Sequence, residues 1–216
     1  MTECPVENAF SMLSVVIPAY NEEDGIAEIV ERVLAVRPAV LAAGVADMEL
    51  IVVDDGSSDG SAEVAAAYSA RVLPLSAPPR GPAKARNLAA NTCSAELLAF
   101  VDADVAVHAD ALAQIEACLA ANPDIAAVFG SYDASPPAHG LVSRYKNLMH
   151  HYVHQHGHRE ASTFWSGCGA IRREAFLHAG GQRFDYIPCL NDSNAWITAL
   201  ADVAERHLAG WPTREQ

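Results

Sequence analysis

Between Leu13 and Phe129 short apolar runs alternate with helix-length segments, and this alternation limits the fold more than any other feature. Leu13 to Ile17 is a β-rich run ended by Pro18, and Met48 to Val53 is a second. Arg71 to Leu75, Leu97 to Val101 and Ile125 to Phe129 follow. Ile26, Ile29, Val30, Val33 and Leu34 stand at helical spacing, with Pro38 just past the pattern. Asn21 is placed to cap that helix, with Glu22, Glu23 and Asp24 in its first turn. Further helices are predicted over about 61–69, through Lys84, Arg86 and Leu88, and from Leu112 to Leu119. Strands separated by helices of this length make βαβ units. The expected class is therefore α/β, a Rossmann-like, mostly parallel sheet flanked by helices.

Such sheets bind ligands beyond the carboxyl ends of their strands. The polar clusters fall there. Tyr20 to Glu22 follow the first strand, Asp54 and Asp55 the second, Asp102 and Asp104 the fourth. Two carboxylates directly after an apolar run are costly unless something neutralises them. A divalent cation does so. Mg²⁺ takes one or two protein carboxylates and fills its shell with water and substrate phosphates. An Asp-x-Asp pair alone also fits a strand-end turn with a helix cap. Neither a GxGxxG nor a GxxxxGK sequence is present, which disfavours a dinucleotide fold and a P-loop kinase.

The 216 residues suffice for one domain, whose strand–helix alternation runs over 13–133 and fades over 134–216. With 27 acidic and 14 basic side chains the formal charge is −13, which argues against a nucleic-acid partner. The five cysteines form no CxxC pair, as expected of reduced thiols in the cytoplasm. No apolar run reaches the roughly 18 residues of a membrane span, and the first ten residues do not resemble a secretory signal.

The segments VVIPAYNEE, IVVDDGSSDGS, GPAKARNLA, FVDADV and FWSGCGAIRREAF occur in this order. As a set they resemble the family 2 glycosyltransferases of GT-A fold, over about residues 13 to 181. The resemblance implies a hexosyltransferase-like enzyme that moves a sugar from a nucleotide-diphosphate donor, typically a UDP-sugar, to an acceptor hydroxyl, with inversion. It implies Mg²⁺ or Mn²⁺ as cofactor and a saccharide or lipid-linked acceptor. Pro18, Ala19, Tyr20 and Glu22 would border base and ribose, and Asp55 would accept the ring N–H of uracil. Arg86 would hold the nucleotide, Asp102 would lie by ribose and metal, and Asp104 would ligate the metal. Lys84 and Arg86 also fit a solvated helix face.

The resemblance makes 13–133 a nucleotide-sugar-binding half and 134–216 an acceptor half, and the acceptor half departs from the family. After Gly181 a Glu-Asp pair that carries the catalytic base is expected; here Asn191-Asp192 stands close to its place. Asp192 is the first candidate for the base and Asp185 the second, while Asp192 fits a helix cap equally well. A divergent or truncated C-terminus makes an idle nucleotide-sugar-binding domain the alternative. A sugar-nucleotide nucleotidyltransferase is disfavoured, since no glycine- and arginine-rich loop follows the first strand.

Within 140–160, Leu141, Tyr145, Leu148, Met149, Tyr152 and Val153 share one helical face. Core packing against the sheet is the favoured expectation. Peripheral contact at the inner face of a membrane is the second. His150 and His154 are spaced like metal ligands, but without HExxH they suggest only incidental metal affinity. Ser166 to Gly169 offers a backbone that a ligand can approach closely, with Cys168 lining the pocket rather than attacking.

Overall fold

The structure is a computed structural model and describes residues 9–68, 70–134, 140–156, 164 and 166–178. These fall in one compact unit, 1–182. Asp185 and Asp192 lie outside the described residues.

Four strands form the parallel part of a six-stranded sheet: β1 (Leu13–Ala19), β2 (Met48–Asp54), β3 (Arg71–Pro74) and β4 (Leu97–Val101). Their order is β3-β2-β1-β4, with Val15 beside Leu50 and Ala99. All five residues of β4 are buried, as a strand covered on both faces requires. Alternate residues serve opposite faces. Val15, Ile17, Val52 and Ala99 pack with Ile26, Val30 and Val33 of α1 (Ile26–Ala35) and with Leu112 and Leu119 of the helix Ala111–Ala121. Val16, Ile51, Val53 and Phe100 pack on the helix Pro82–Thr92, through Ala85, Ala89 and Ala90. Those alanines let the second helix approach the sheet closely. Phe100 is fully buried and touches Phe176 at 5.3 Å between ring centres; its burial is worth about 1.5–3 kcal/mol.

The elements between complete the order. Val36 ends α1, and α2 (Arg37–Ala43) begins at once, with Pro38 in its first turn. There the absent N–H of proline costs nothing, so Pro38 starts a helix rather than ending one. Then come α3 (Ser61–Ala67), α4 (Pro82–Thr92) and α5 (Ala111–Ala121).

Beyond β4 the sheet changes direction. β5 (Ala127–Phe129) does not join β4. Between them lies β6 (Cys168–Arg172), antiparallel to both and followed by α7 (Arg173–His178). Gly169 of the segment Ser166 to Gly169 sits inside β6. A Cβ there would lie 2.8 Å from the Cβ of Phe129 and 2.9 Å from the carbonyl oxygen of Val128. Only glycine admits the neighbouring strand so closely.

Glu116 of α5 is a misfit in this core. It is 1% exposed, and neither carboxylate oxygen has a hydrogen-bond partner. Burial raises its pKa above the usual carboxylate range. The fold favours the protonated form, so its contribution is complete below the ordinary carboxylate pKa and is lost as pH rises through the raised value. Glu116→Leu is therefore expected to stabilise the protein at pH 8 by about 1–3 kcal/mol, the cost of a buried unpaired polar group. Thermal melts at pH 8 and pH 4 check this. The gain in Tm should shrink at the lower pH.

Candidate active site

Each polar cluster at the sheet's carboxyl edge is fixed by a different local device. Asp54 closes β2, and its Oδ1 accepts the Ser57 N–H at 3.1 Å, which sets the turn. Asp55 follows, 4% exposed, and its N–H donates to the Ala19 carbonyl at 2.9 Å. Its carboxylate reaches across to the loop before α4. Oδ1 accepts the Arg80 N–H at 2.9 Å, and Oδ2 accepts the Gly81 N–H at 2.6 Å. Gly81 has φ +87°, a conformation that needs glycine, and it opens α4 with Pro82 behind it.

The loop after β1 is laced to the loop after β2 by side chains. The Asn21 N–H donates to Ser57 Oγ at 3.0 Å and the Glu22 N–H to Ser61 Oγ at 2.8 Å. The Glu23 N–H donates to Asp59 Oδ2 at 3.2 Å. In return Asn21 Oδ1 accepts the Ser58 N–H at 2.9 Å, and Glu23 Oε2 accepts the Gly60 N–H at 3.0 Å. Asn21 therefore caps no helix. It sits at φ +54°, a region asparagine tolerates, and Gly25 precedes α1. The sequence signal for this lacing was the density of Ser and Asp in Ser57 to Ser61, since such side chains take up loop amides.

Asp102 and Asp104 leave β4 on the same edge. Neither caps α5, whose preceding residue is Asp110. The Asp102 N–H donates to the Gly167 carbonyl at 3.0 Å, which ties the strand end to the entrance of β6. Its Oδ1 meets an Arg86 guanidinium nitrogen at 2.5 Å. Arg86 is 8% exposed, lies 5.8 Å from the Phe100 ring centre, and has a buried Nε without a partner. It is no solvated side chain, whereas Lys84 on the same helix is exposed. Burial raises the pKa of Asp102, Arg86 opposes the rise and Asp104 adds to it. Glu22 is raised by burial, then by the charges of Asp104 and Asp59. Glu22, Asp102 and Asp104 thus share one field of negative charge.

Together these residues line one cleft of about 340 Å³. Its walls are Pro18, Ala19, Tyr20, Glu22, Asp55, Pro82, Arg86, Asp102, Ala103 and Asp104, so the residues expected to hold nucleotide and metal are brought there, whereas Cys168, expected to line the pocket, is not among them. Pro82 is an addition, and Asp192 falls outside the described residues. Oxygen-only donors under mutual repulsion suit a hard divalent cation. A buried guanidinium N–H without a partner suits an anion. Cys168 is pushed up to about 11 by burial and by Asp102, which keeps it a thiol and no nucleophile. His150 and His154 have ring centres 6.3 Å apart, and the described residues hold no cluster of three metal-ligating side chains.

The model of the family described as "Glycosyl transferase family 2" matches residues 14–180. Among solved structures, the chain is similar to the mannosyltransferase PcManGT of Pyrobaculum calidifontis, solved with GDP-Man and Mn²⁺. The TM-score is 0.59 at 22% identity, over 83% of this chain and 51% of that one. Glucosyl-3-phosphoglycerate synthase of Mycobacterium tuberculosis, in complex with phosphoglyceric acid, gives 0.53 at 25% identity, over 77% and 58%. S. aureus TarS 1-349 gives 0.57 at 21%, over 78% and 49%. The chain thus spans about half the length of these proteins. Curated ferrochelatases match a short stretch. The ferrochelatase of Methylibium petroleiphilum is 69% identical over 42 residues, 19% of this chain and 12% of that enzyme. That of Rhodobacter capsulatus is 62% identical over 39 residues, 18% and 11%.

Proposed function

Because the chain belongs to glycosyl transferase family 2 and has the GT-A fold, we propose that it transfers a hexosyl group from a UDP-sugar to an acceptor hydroxyl, with inversion, using Mg²⁺ or Mn²⁺. The observation that carries this is the convergence of Glu22, Asp55, Arg86, Asp102 and Asp104 on one cleft. Structures of similar proteins hold GDP-Man with Mn²⁺, or UDP-glucose with Mn²⁺, which supports a metal–nucleotide donor here.

Asp104 and Asp102 would hold the cation, which when bound stabilises negative charge on a departing diphosphate. Arg86, anchored by Asp102, would offer its remaining N–H groups to the diphosphate as a fixed donor fork. Asp55 accepts two amide N–H groups, that of Arg80 shared between its two oxygens and that of Gly81 at Oδ2. A carboxylate accepts about four hydrogen bonds, which leaves room for the ring N–H of uracil. Tyr20, 46% exposed, and Pro18 border the base and ribose. Inversion needs a base on the acceptor side. Asp192 is assigned that role and Asp185 is the alternative. Both lie beyond the family match, which ends at residue 180. Free thiols at Cys93, Cys118 and Cys168 support a reducing, cytoplasmic setting.

Release of nucleoside diphosphate from a panel of UDP- and GDP-sugars tests this, with Mn²⁺, Mg²⁺ or chelator, and with and without lipid extract. One UDP-sugar should turn over with metal and not with chelator. Tight UDP binding without turnover on any acceptor would instead identify an idle nucleotide-sugar-binding domain.

A further inference from the structure

The helix α6 (Leu141–His156) is amphipathic the wrong way round. None of its 16 residues is buried. Its polar side faces the protein. Asn147 Nδ2 donates to the Asp133 carbonyl at 2.6 Å, and Gln155 Nε2 donates to Ser131 Oγ at 3.0 Å. His151 Nδ1 lies 2.6 Å from the Tyr132 carbonyl, while the His150 ring stacks on Tyr132 at 5.2 Å. The His154 ring meets Phe129 at 5.7 Å. These positions recur every three or four residues and occupy one face. The opposite face carries Leu141, Tyr145, Met149, Tyr152 and Val153, exposed at 85, 66, 41, 62 and 56%. The apolar stripe therefore does not pack on the sheet as its periodicity suggests. It points to solvent.

A stripe of this size on a soluble surface marks a contact, and charge indicates with what. The whole chain carries −13, yet α6 contains no Asp or Glu. Arg144 and Lys146 are exposed beside the stripe, and two tyrosines stand within it. Apolar residues flanked by cations, with aromatic rings of mixed polarity, are the composition of a helix lying in a membrane interface. A second copy fits less well, because α6 offers no Asp or Glu to pair with the Arg144 and Lys146 of its mate. No described helix is long and apolar enough to cross a membrane; a helix lying in the interface needs no such length.

We propose that α6 docks the protein on an anionic lipid surface through Tyr145, Met149 and Tyr152, with Arg144 and Lys146 against the head groups. The docking does not depend on the transferase reading, since it needs neither donor nor metal. The test is flotation of the full chain with phosphatidylcholine vesicles, plain or with a third of the lipid replaced by phosphatidylglycerol. The chain should float with the anionic vesicles alone and be released by high salt. Arg144→Gln with Lys146→Gln should weaken partitioning about five-fold per residue. Tyr145→Ser with Tyr152→Ser should abolish flotation while circular dichroism stays unchanged. No flotation of the wild type, equal flotation on neutral vesicles, or retention by both variants would each overturn the proposal. So would a dimer in sedimentation that Tyr145→Ser dissociates, because the stripe would then belong to a second copy.

Discussion

Asp104→Asn is expected to remove metal-dependent UDP binding while leaving the melting temperature where it was. The side chain is exposed at the end of the cleft and caps no helix, so the fold makes no demand on it. Its negative charge raises the pKa of both Glu22 and Asp102, which shows how closely the three carboxylates share their surroundings. The amide keeps the shape and removes the charge. Losing a group that merely supports a metal ligand costs roughly 10–100-fold in affinity, and losing a ligand should exceed that. Calorimetry of UDP with Mn²⁺ is the check. Unchanged affinity would mean that Asp104 is a surface carboxylate and no part of the donor site.

The second large effect is expected at Asp55, which does two things at once. Asp55→Ala removes the acceptor of the Arg80 and Gly81 amides and so loosens the start of α4, from which Arg86 projects. It also removes the acceptor for the uracil ring. A polar group left unpaired costs about 1–3 kcal/mol, so UDP affinity should fall by roughly 10–100-fold. The two roles separate by base. Wild type should bind UDP more tightly than ADP, and the variant should bind both weakly and alike. If the variant loses affinity but keeps the same UDP-to-ADP ratio, Asp55 holds the loop and does not read the base.

The cleft residues were legible because their placement is written locally. Asp55, Asp102 and Asp104 each stand where an apolar strand run stops, the edge at which such a sheet gathers its polar groups. Arg86 could be placed only on α4; that it is buried against Phe100 depends on the alanines around it and on tertiary packing. Three features were not legible. Pro38 resembles a helix stop and is a helix start, because proline is disfavoured in a helix interior but welcome in its first turn. Gly169 suggests close approach by a ligand, because nothing local reveals that the close neighbour is Phe129, in a strand forty residues earlier in the chain. In α6 the periodicity correctly marks an apolar stripe, but period alone cannot say which side meets the protein. Contacts of Asn147, His151 and Gln155 with residues 131–133 decide that.

The acceptor side is different in kind. The family match stops at residue 180, and Asp192 follows it without the Glu-Asp pair that would mark a base. Comparing Asp192→Asn with Asp185→Asn at saturating donor and acceptor separates the candidates, since a general base is worth roughly 10²–10⁴ in kcat.

The proposed sugar transfer rests on Asp102 and Asp104 holding a divalent cation together with a nucleoside diphosphate. Electron paramagnetic resonance of Mn²⁺ tests it without any turnover. The six-line signal of free Mn²⁺ should persist when UDP alone is added at concentrations too low to chelate. It should diminish with a stoichiometry of one when the protein is also present, and return in full with Asp104→Asn. A signal that stays free beside UDP-saturated wild-type protein, or that is quenched equally by Asp104→Asn, would contradict the account.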